Sequence, residues 1–222
     1  MDLTNRPDWE RKLARAISRS HQRTLLKLLE YLGDPPDLLR VPPEFWEEVG
    51  SDLLIAIRPI LEEIFLSQAE ALLVVVPVGV DWALINVAAA RWVRQFGGYL
   101  IKEITETSRR AVQESVGSFF EDQLTMGELR SRLERIFGPV RSETIAATEV
   151  TRAAVEGERA TVTELEKHGI RFVEIWQTEN DGLVCPICGP LHGKKEGDGW
   201  TTATGPPAHP RCRCWTNHEV VL

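Results

Sequence analysis

The first 184 residues of this 222-residue chain contain no cysteine. That excludes a disulfide-built mini-protein, whose cysteines are spread along the chain to compensate for a small core. Positive charge is in short supply. Lys and Arg number 26 against 33 Asp and Glu, a formal net charge of -7. The chain as a whole is therefore a poor DNA coat, because affinity for phosphate comes from cations displacing counterions. It also lacks a long unbroken apolar run. The most apolar stretch, Ala69 to Val93, is interrupted by Pro77, Gly79, Asp81, Asn86 and Arg91. A central Asp alone costs ~3 kcal/mol in lipid, so the stretch reads as protein core or a protein–protein surface. The polar start, Met1 to Trp9, has no apolar segment that would direct export. A phosphate-cradling Gly loop, Gly-x-Ser-x-Gly and His-Glu-x-x-His are all absent. So are internal repeats and low-complexity tracts. With 43% hydrophobic and 27% charged residues the composition is that of a globular protein, not a disordered one.

The residues that are present predict helices first. Leu13, Ile17, Leu25, Leu28 and Leu32 recur at helical spacing over residues 7–32. Gly33-Asp34-Pro35-Pro36 ends that helix, since proline lacks an amide and clashes with the preceding turn. A short Leu38-Leu39 segment follows. Pro43 suits the first turn of a second helix, with Glu44, Glu47 and Glu48 at its positive end. This helix runs to Phe65 with a kink expected at Pro59. Val74 to Val80 reads as a connector, and Asp81 as the N-cap of a long helix that passes Gly97-Gly98 towards Phe120. Thr125 to Glu128 fits a capping box. Gly138-Pro139 separates that helix from another, over residues 140–167. Ile170 to Trp176 then alternates with period two and predicts a strand. The expected fold is mainly α, an elongated helical body followed by a small zinc-stapled α+β C-terminal module. Its regions are an N-terminal helical interaction region at 1–77, a helical core at 78–168, and a strand with a Cys/His module at 169–222.

All four cysteines lie in that last module. Cys185-Pro-Ile-Cys188-Gly is a two-cysteine knuckle, whose spacing lets both thiolates reach one tetrahedral ion. His209-Pro-Arg-Cys212-Arg-Cys214 supplies the second half, 20 residues after Cys188. Four of the five donors Cys185, Cys188, His209, Cys212 and Cys214 are expected to hold a structural Zn2+, with either Cys212 or Cys214 as the fourth ligand. His192 and His218 stand in reserve. Four protein ligands close a site, whereas catalysis needs an open position. A module too short to bury much apolar area gains from an ion. The competing readings are two disulfides, inert buried thiols, and a redox Cys-x-x-Cys. No export signal supports the first, and no thioredoxin-like βαβ pattern the last.

Other constellations have plain structural readings. Glu149 could serve as an acid or base, but an acid near Arg152 at helical spacing reads as a local ion pair. Arg130, Arg132, Arg135 and Arg141 alternate with acids and read as a solvated helix face. Asp181 reads as a turn residue or a metal's outer-shell partner. Trp176, Trp200 and Trp215 bracket the cysteines and read as the module's core. The alternative functions are a zinc-containing nucleic-acid-binding module and, less favoured, a metal-dependent hydrolase or nuclease using Asp181, Glu149, His192 and His209.

The tail from Trp176-Gln-Thr178 through Cys185-Pro-Ile-Cys188-Gly-Pro-Leu191-His-Gly193 to Pro206-Pro207-Ala-His209-Pro210-Arg211-Cys212-Arg213-Cys214 resembles the phage Mu protein F-like family of head morphogenesis proteins. Ile145 to Ala153 with Gly157 resembles the family's helix, and Asp81-Trp82 with Asn86 the opening of its core region. Ala147 and Val155 depart from the Arg and Asn frequent there, which weakens a polar function for that helix. The resemblance implies a minor head protein of a tailed bacteriophage and no enzyme. The implied location is the virion or procapsid, with assembly in the host cytoplasm. The implied partners are the portal protein or major capsid protein, with packaged DNA a further candidate. Membrane and small-molecule substrate are not expected.

Overall fold

The computed structural model describes residues 5–75, 81–179, 182–200 and 205–221. Most of the valine-rich connector, at 76–80, and Asp181 lie outside these.

Helix α1, Arg6–Leu32, buries Trp9, Leu13, Ile17, Leu28 and Leu32 on one face. It ends at Gly33, whose N–H donates to the Leu29 carbonyl at 3.3 Å and whose φ of 69° then turns the chain out of the helix. Helix α2, Phe45–Val75, is longer than its sequence suggests. Pro43 and Glu44 form a turn before it, and Pro59 sits inside one continuous helix. Val74 and Val75, expected in the connector, are its last residues. Helix α3, Trp82–Glu121, is capped by Asp81, which accepts from the Ala83 N–H at 2.9 Å. Its 40 residues extend ~60 Å at 1.5 Å per residue. Gly97-Gly98 does not break it. Instead Gly97 admits Leu54 of α2, whose Cδ1 would lie 2.9 Å from a side-chain carbon there. Helix α4, Met126–Ile136, opens with the expected Thr125–Glu128 capping box. Helix α5, Pro139–Glu166, follows Gly138.

One apolar cluster joins Leu13 and Ile17 of α1, Ile57 and Leu61 of α2, Val93 of α3, and Val150 and Ala154 of α5. A second joins Leu28, Phe45, Val112, Leu129 and Phe137. Residues on both sides of position 77 therefore share the same core. Helix α5 is its axis. At Gly157 the backbone comes so close to α2 that a Cβ would lie 2.2 Å from the Phe65 carbonyl oxygen. Arg141, read as part of a solvated series, instead ties helices together. It donates to the Ser108 hydroxyl at 2.9 Å, the Thr107 hydroxyl at 2.8 Å and the Ile136 carbonyl at 3.0 Å. Among the described residues no helix is long and apolar enough to cross a membrane.

Strand β1, Arg171–Thr178, pairs antiparallel with β2, Cys214–Val221, in a register running from Arg171 opposite Val221 to Thr178 opposite Cys214. The first was expected and the second was not. Alternation along β2 sends neighbouring side chains to opposite faces. Cys214 is buried in the module with Trp176, Cys188, Leu191 and Cys212. Trp215, expected there too, packs on the helical core instead. Trp200 stays with the module, edge-on to Trp176 at 5.3 Å between ring centroids. Charged groups fasten the sheet to α5. Arg159 donates to both carboxylate oxygens of Glu174, at 2.8 and 3.1 Å.

Candidate metal centre

The knuckle is held by its own backbone. The Cys188 N–H donates to the Cys185 carbonyl at 3.1 Å and lies 3.3 Å from the Cys185 sulfur. The Gly189 N–H shares the same carbonyl at 3.0 Å. The second half is a turn in which the Cys212 N–H donates to the His209 carbonyl at 3.1 Å. It is pinned to α5 at two hydroxyls. Thr148 accepts from the Arg211 N–H at 2.9 Å, and Thr151 donates to the Cys212 carbonyl at 3.0 Å. Strand β2 fixes Cys214 at the end of the sheet.

These supports bring all five predicted donors together in two overlapping groups. Cys185, Cys188 and His209 form one, and Cys188, Cys212 and Cys214 the other. Within each group the ligand atoms lie within 4.8 Å of one another. His209 Nε2 is 3.1 Å from the Cys185 sulfur and 3.3 Å from the Cys188 sulfur. Its Nδ1 lies 2.9 Å from the Pro210 carbonyl. A proton on Nδ1 leaves the Nε2 lone pair facing the thiols, as metal-binding imidazoles are held. All four cysteines are free thiols. A tetrahedral ion with Zn–S bonds of about 2.3 Å sets its sulfurs about 3.8 Å apart, so the residues fit such an ion in both chemistry and spacing.

The electrostatics show what a cation would relieve. The Cys212 thiol is pulled down to about 5, mainly by its hydrogen bond with Cys214 and despite burial. Burial and the Cys212 charge push Cys188 up to about 12. Cys214 is raised by its hydrogen bond to Cys212 and by burial, against the pull of the Trp176 indole N–H. At Cys185 burial opposes ionisation, but hydrogen bonds from the Cys188 and Ile187 amides outweigh it and the value falls. The His209 imidazole is raised, first by the Pro210 carbonyl. Alone, such a cluster favours ionisation of Cys212 and Cys185 while Cys188 and Cys214 hold their protons. A divalent ion removes the mutual repulsion and allows several.

The remaining candidates are engaged elsewhere. His192 Nδ1 lies 3.2 Å from the Thr178 amide. The His218 ring is buried, with Nδ1 3.2 Å from Glu158 and Nε2 3.9 Å from Glu174. Glu149 is 5% exposed and pairs with Arg152 at 3.2 Å, whose guanidinium lies 4.9 Å from the centre of the Phe96 ring. Burial pushes its carboxyl up to about 7, against the pull of Arg152. Sequence reasoning missed Arg6. Only 1% exposed, it donates to the Thr151 hydroxyl and the Cys212 carbonyl, both at 2.8 Å, and to Glu10 at 2.7 Å. Its position beside Pro7 gives no local sign of a partner so distant in sequence.

Fold and site define a helical body carrying a Cys/His-clustered C-terminal module. The family described as Phage Mu protein F like protein matches residues 103–217, more than half of the chain, and the chain belongs to that family. The matched region starts within α3 and ends in β2, and so contains the whole donor cluster. No curated protein and no solved structure matches the chain.

Proposed function

We propose that this chain is a minor head protein of a tailed bacteriophage, structural in role, whose C-terminal module is held by one Zn2+. Family membership over residues 103–217 carries the assembly reading. Convergence of four thiols and an imidazole carries the metal reading. Sulfur and imidazole donors suit zinc's borderline softness, and a closed set of four protein ligands suits a structural ion. Bound there, the ion would supply charge compensation and a crosslink between the knuckle and the 209–214 turn. Through that turn it would stiffen the contact with Thr148, Thr151 and Arg6. The chain would sit in the virion or procapsid against portal or major capsid protein, joining the head during assembly in the host cytoplasm.

Quantitative mass spectrometry of purified phage heads tests the role. The expected result is this chain at a few copies per particle, far below the major capsid protein. Its absence from both procapsids and virions would overturn the reading.

A further inference from the structure

A cleft of about 760 Å3 opens where the start of α1 meets α5 and the metal-binding module. Its floor is small and apolar, with Ala14 on α1 and Ala147 on α5. Its rim is arginine. Arg11 and Arg15 project from α1, and Arg211 and Arg213 flank Cys212 on the module. This concentration of cations stands on a chain whose net charge is -7. Asp8 pairs with Arg11, so Arg15 and Arg211 are the cations the cleft offers, and the two carboxylates in its walls do not cancel these. Glu10 is already paired with the buried Arg6 at 2.7 Å. Glu143 lies 3.7 Å from Arg211 with both side chains more than half exposed, a contact that water and salt screen heavily.

Arg211 stands out among these cations. Its φ is +60°, in the left-handed region that favours glycine. Its N–H donates to the Thr148 hydroxyl, which anchors the backbone here without using the side chain. The side chain's screened pair with Glu143 does not offset the strain. An arginine held in a glycine-like conformation, aimed into a cleft, is the pattern of a residue kept for binding.

We propose that this cleft docks an acidic segment of a partner protein. Carboxylates of the segment pair with Arg15 and Arg211, and an apolar side chain rests on Ala14 and Ala147. Charge complementarity selects the occupant. The volume lies within the ~300–1,000 Å3 of enclosed ligand sites. It suits a peptide. A peptide needs only one or two carboxylates against these arginines, whereas a DNA duplex needs a broad cationic surface that this acidic chain lacks. The proposal deepens the head-assembly reading by naming the partner's chemistry, and it adds that the metal-held turn forms one wall of the site.

The test uses the full-length, metal-loaded chain and a fluorescent peptide, Glu-Glu-Leu-Glu-Glu-Leu, read by anisotropy. Parallel probes are the same peptide with Gln for every Glu and a short DNA duplex. The expected result is binding of the acidic peptide, weakened at least tenfold (~1.4 kcal/mol) by Gln replacement or by the pair Arg15→Glu and Arg211→Glu. Arg211→Gly should weaken binding while the metal content holds and the melting temperature holds or rises as the strain is relieved. Three results would overturn the proposal: no peptide binding up to ~1 mM, binding indifferent to the arginine substitutions, or arginine-dependent binding of DNA but not peptide. Each leaves the head-assembly reading to its own particle measurement.

Discussion

The Arg6 guanidinium donates a 2.8 Å hydrogen bond to the backbone carbonyl of Cys212, 206 residues further along the chain. This contact joins the first turn of the first helix to the turn that carries His209, Cys212 and Cys214, the second half of the candidate metal centre. Arg6 is wholly enclosed, so its removal leaves the Cys212 carbonyl without its guanidinium partner and Glu10 without its cation. Arg6→Ala should cost about 3 kcal/mol, measured by urea unfolding. Arg6→Lys should recover little of it, because one ammonium cannot span Thr151, Cys212 and Glu10 as a planar fork does.

Gly157 makes a different demand. A Cβ there would meet the Phe65 carbonyl oxygen at 2.2 Å, with main chain on both sides and no flexible group to yield. Gly157→Ala should destabilise by at least ~2 kcal/mol although alanine is the better helix former. Gly117→Ala in α3, where nothing lies within 4 Å, should be neutral or slightly stabilising. Paired thermal melts check both.

Stability should fall at both ends of the accessible pH range, for separable reasons. The Glu149 carboxyl is raised from 4.5 to about 7 by burial. The folded state thus holds its proton more tightly than the unfolded state. Its contribution is full below pH 4.5 and is lost as pH rises through 7. Glu149→Gln should remove that slope and gain up to about 3 kcal/mol at alkaline pH. The His21 imidazole moves the other way, from 6.5 down to about 4, through burial and then the charge of Arg141. Its contribution is full above pH 6.5 and is lost as pH falls through 4. Urea midpoints across pH, for wild type, Glu149→Gln and His21→Gln, should show each variant flattening only its own limb.

Local signals were well written in the sequence. Asp81 and Thr125 cap helices by chemistry confined to a few residues, and each helix starts where its cap stands. Cysteine spacing brought the five donors to notice because two-residue knuckles are a local geometry as well. Hidden features were those set by distant packing. Strand β2 has no clear alternation, since Cys214, Trp215 and Thr216 all find burial or partial burial on one face or the other. His218 looked like a spare ligand until the fold placed it between Glu158 and Glu174. The continuous run of α2 through Pro59 rests on tertiary support from α3 and α5 that no local rule supplies.

The proposed zinc ion would hold the C-terminal module together. Elemental mass spectrometry of the purified chain, for wild type and Cys185→Ser, tests it most directly when paired with melts in the presence and absence of chelator. The expected result is one zinc per wild-type chain, its loss in the variant, and a lower melting temperature after either substitution or chelation. A metal-free wild type with four titratable thiols, and a melting temperature indifferent to chelator, would contradict it.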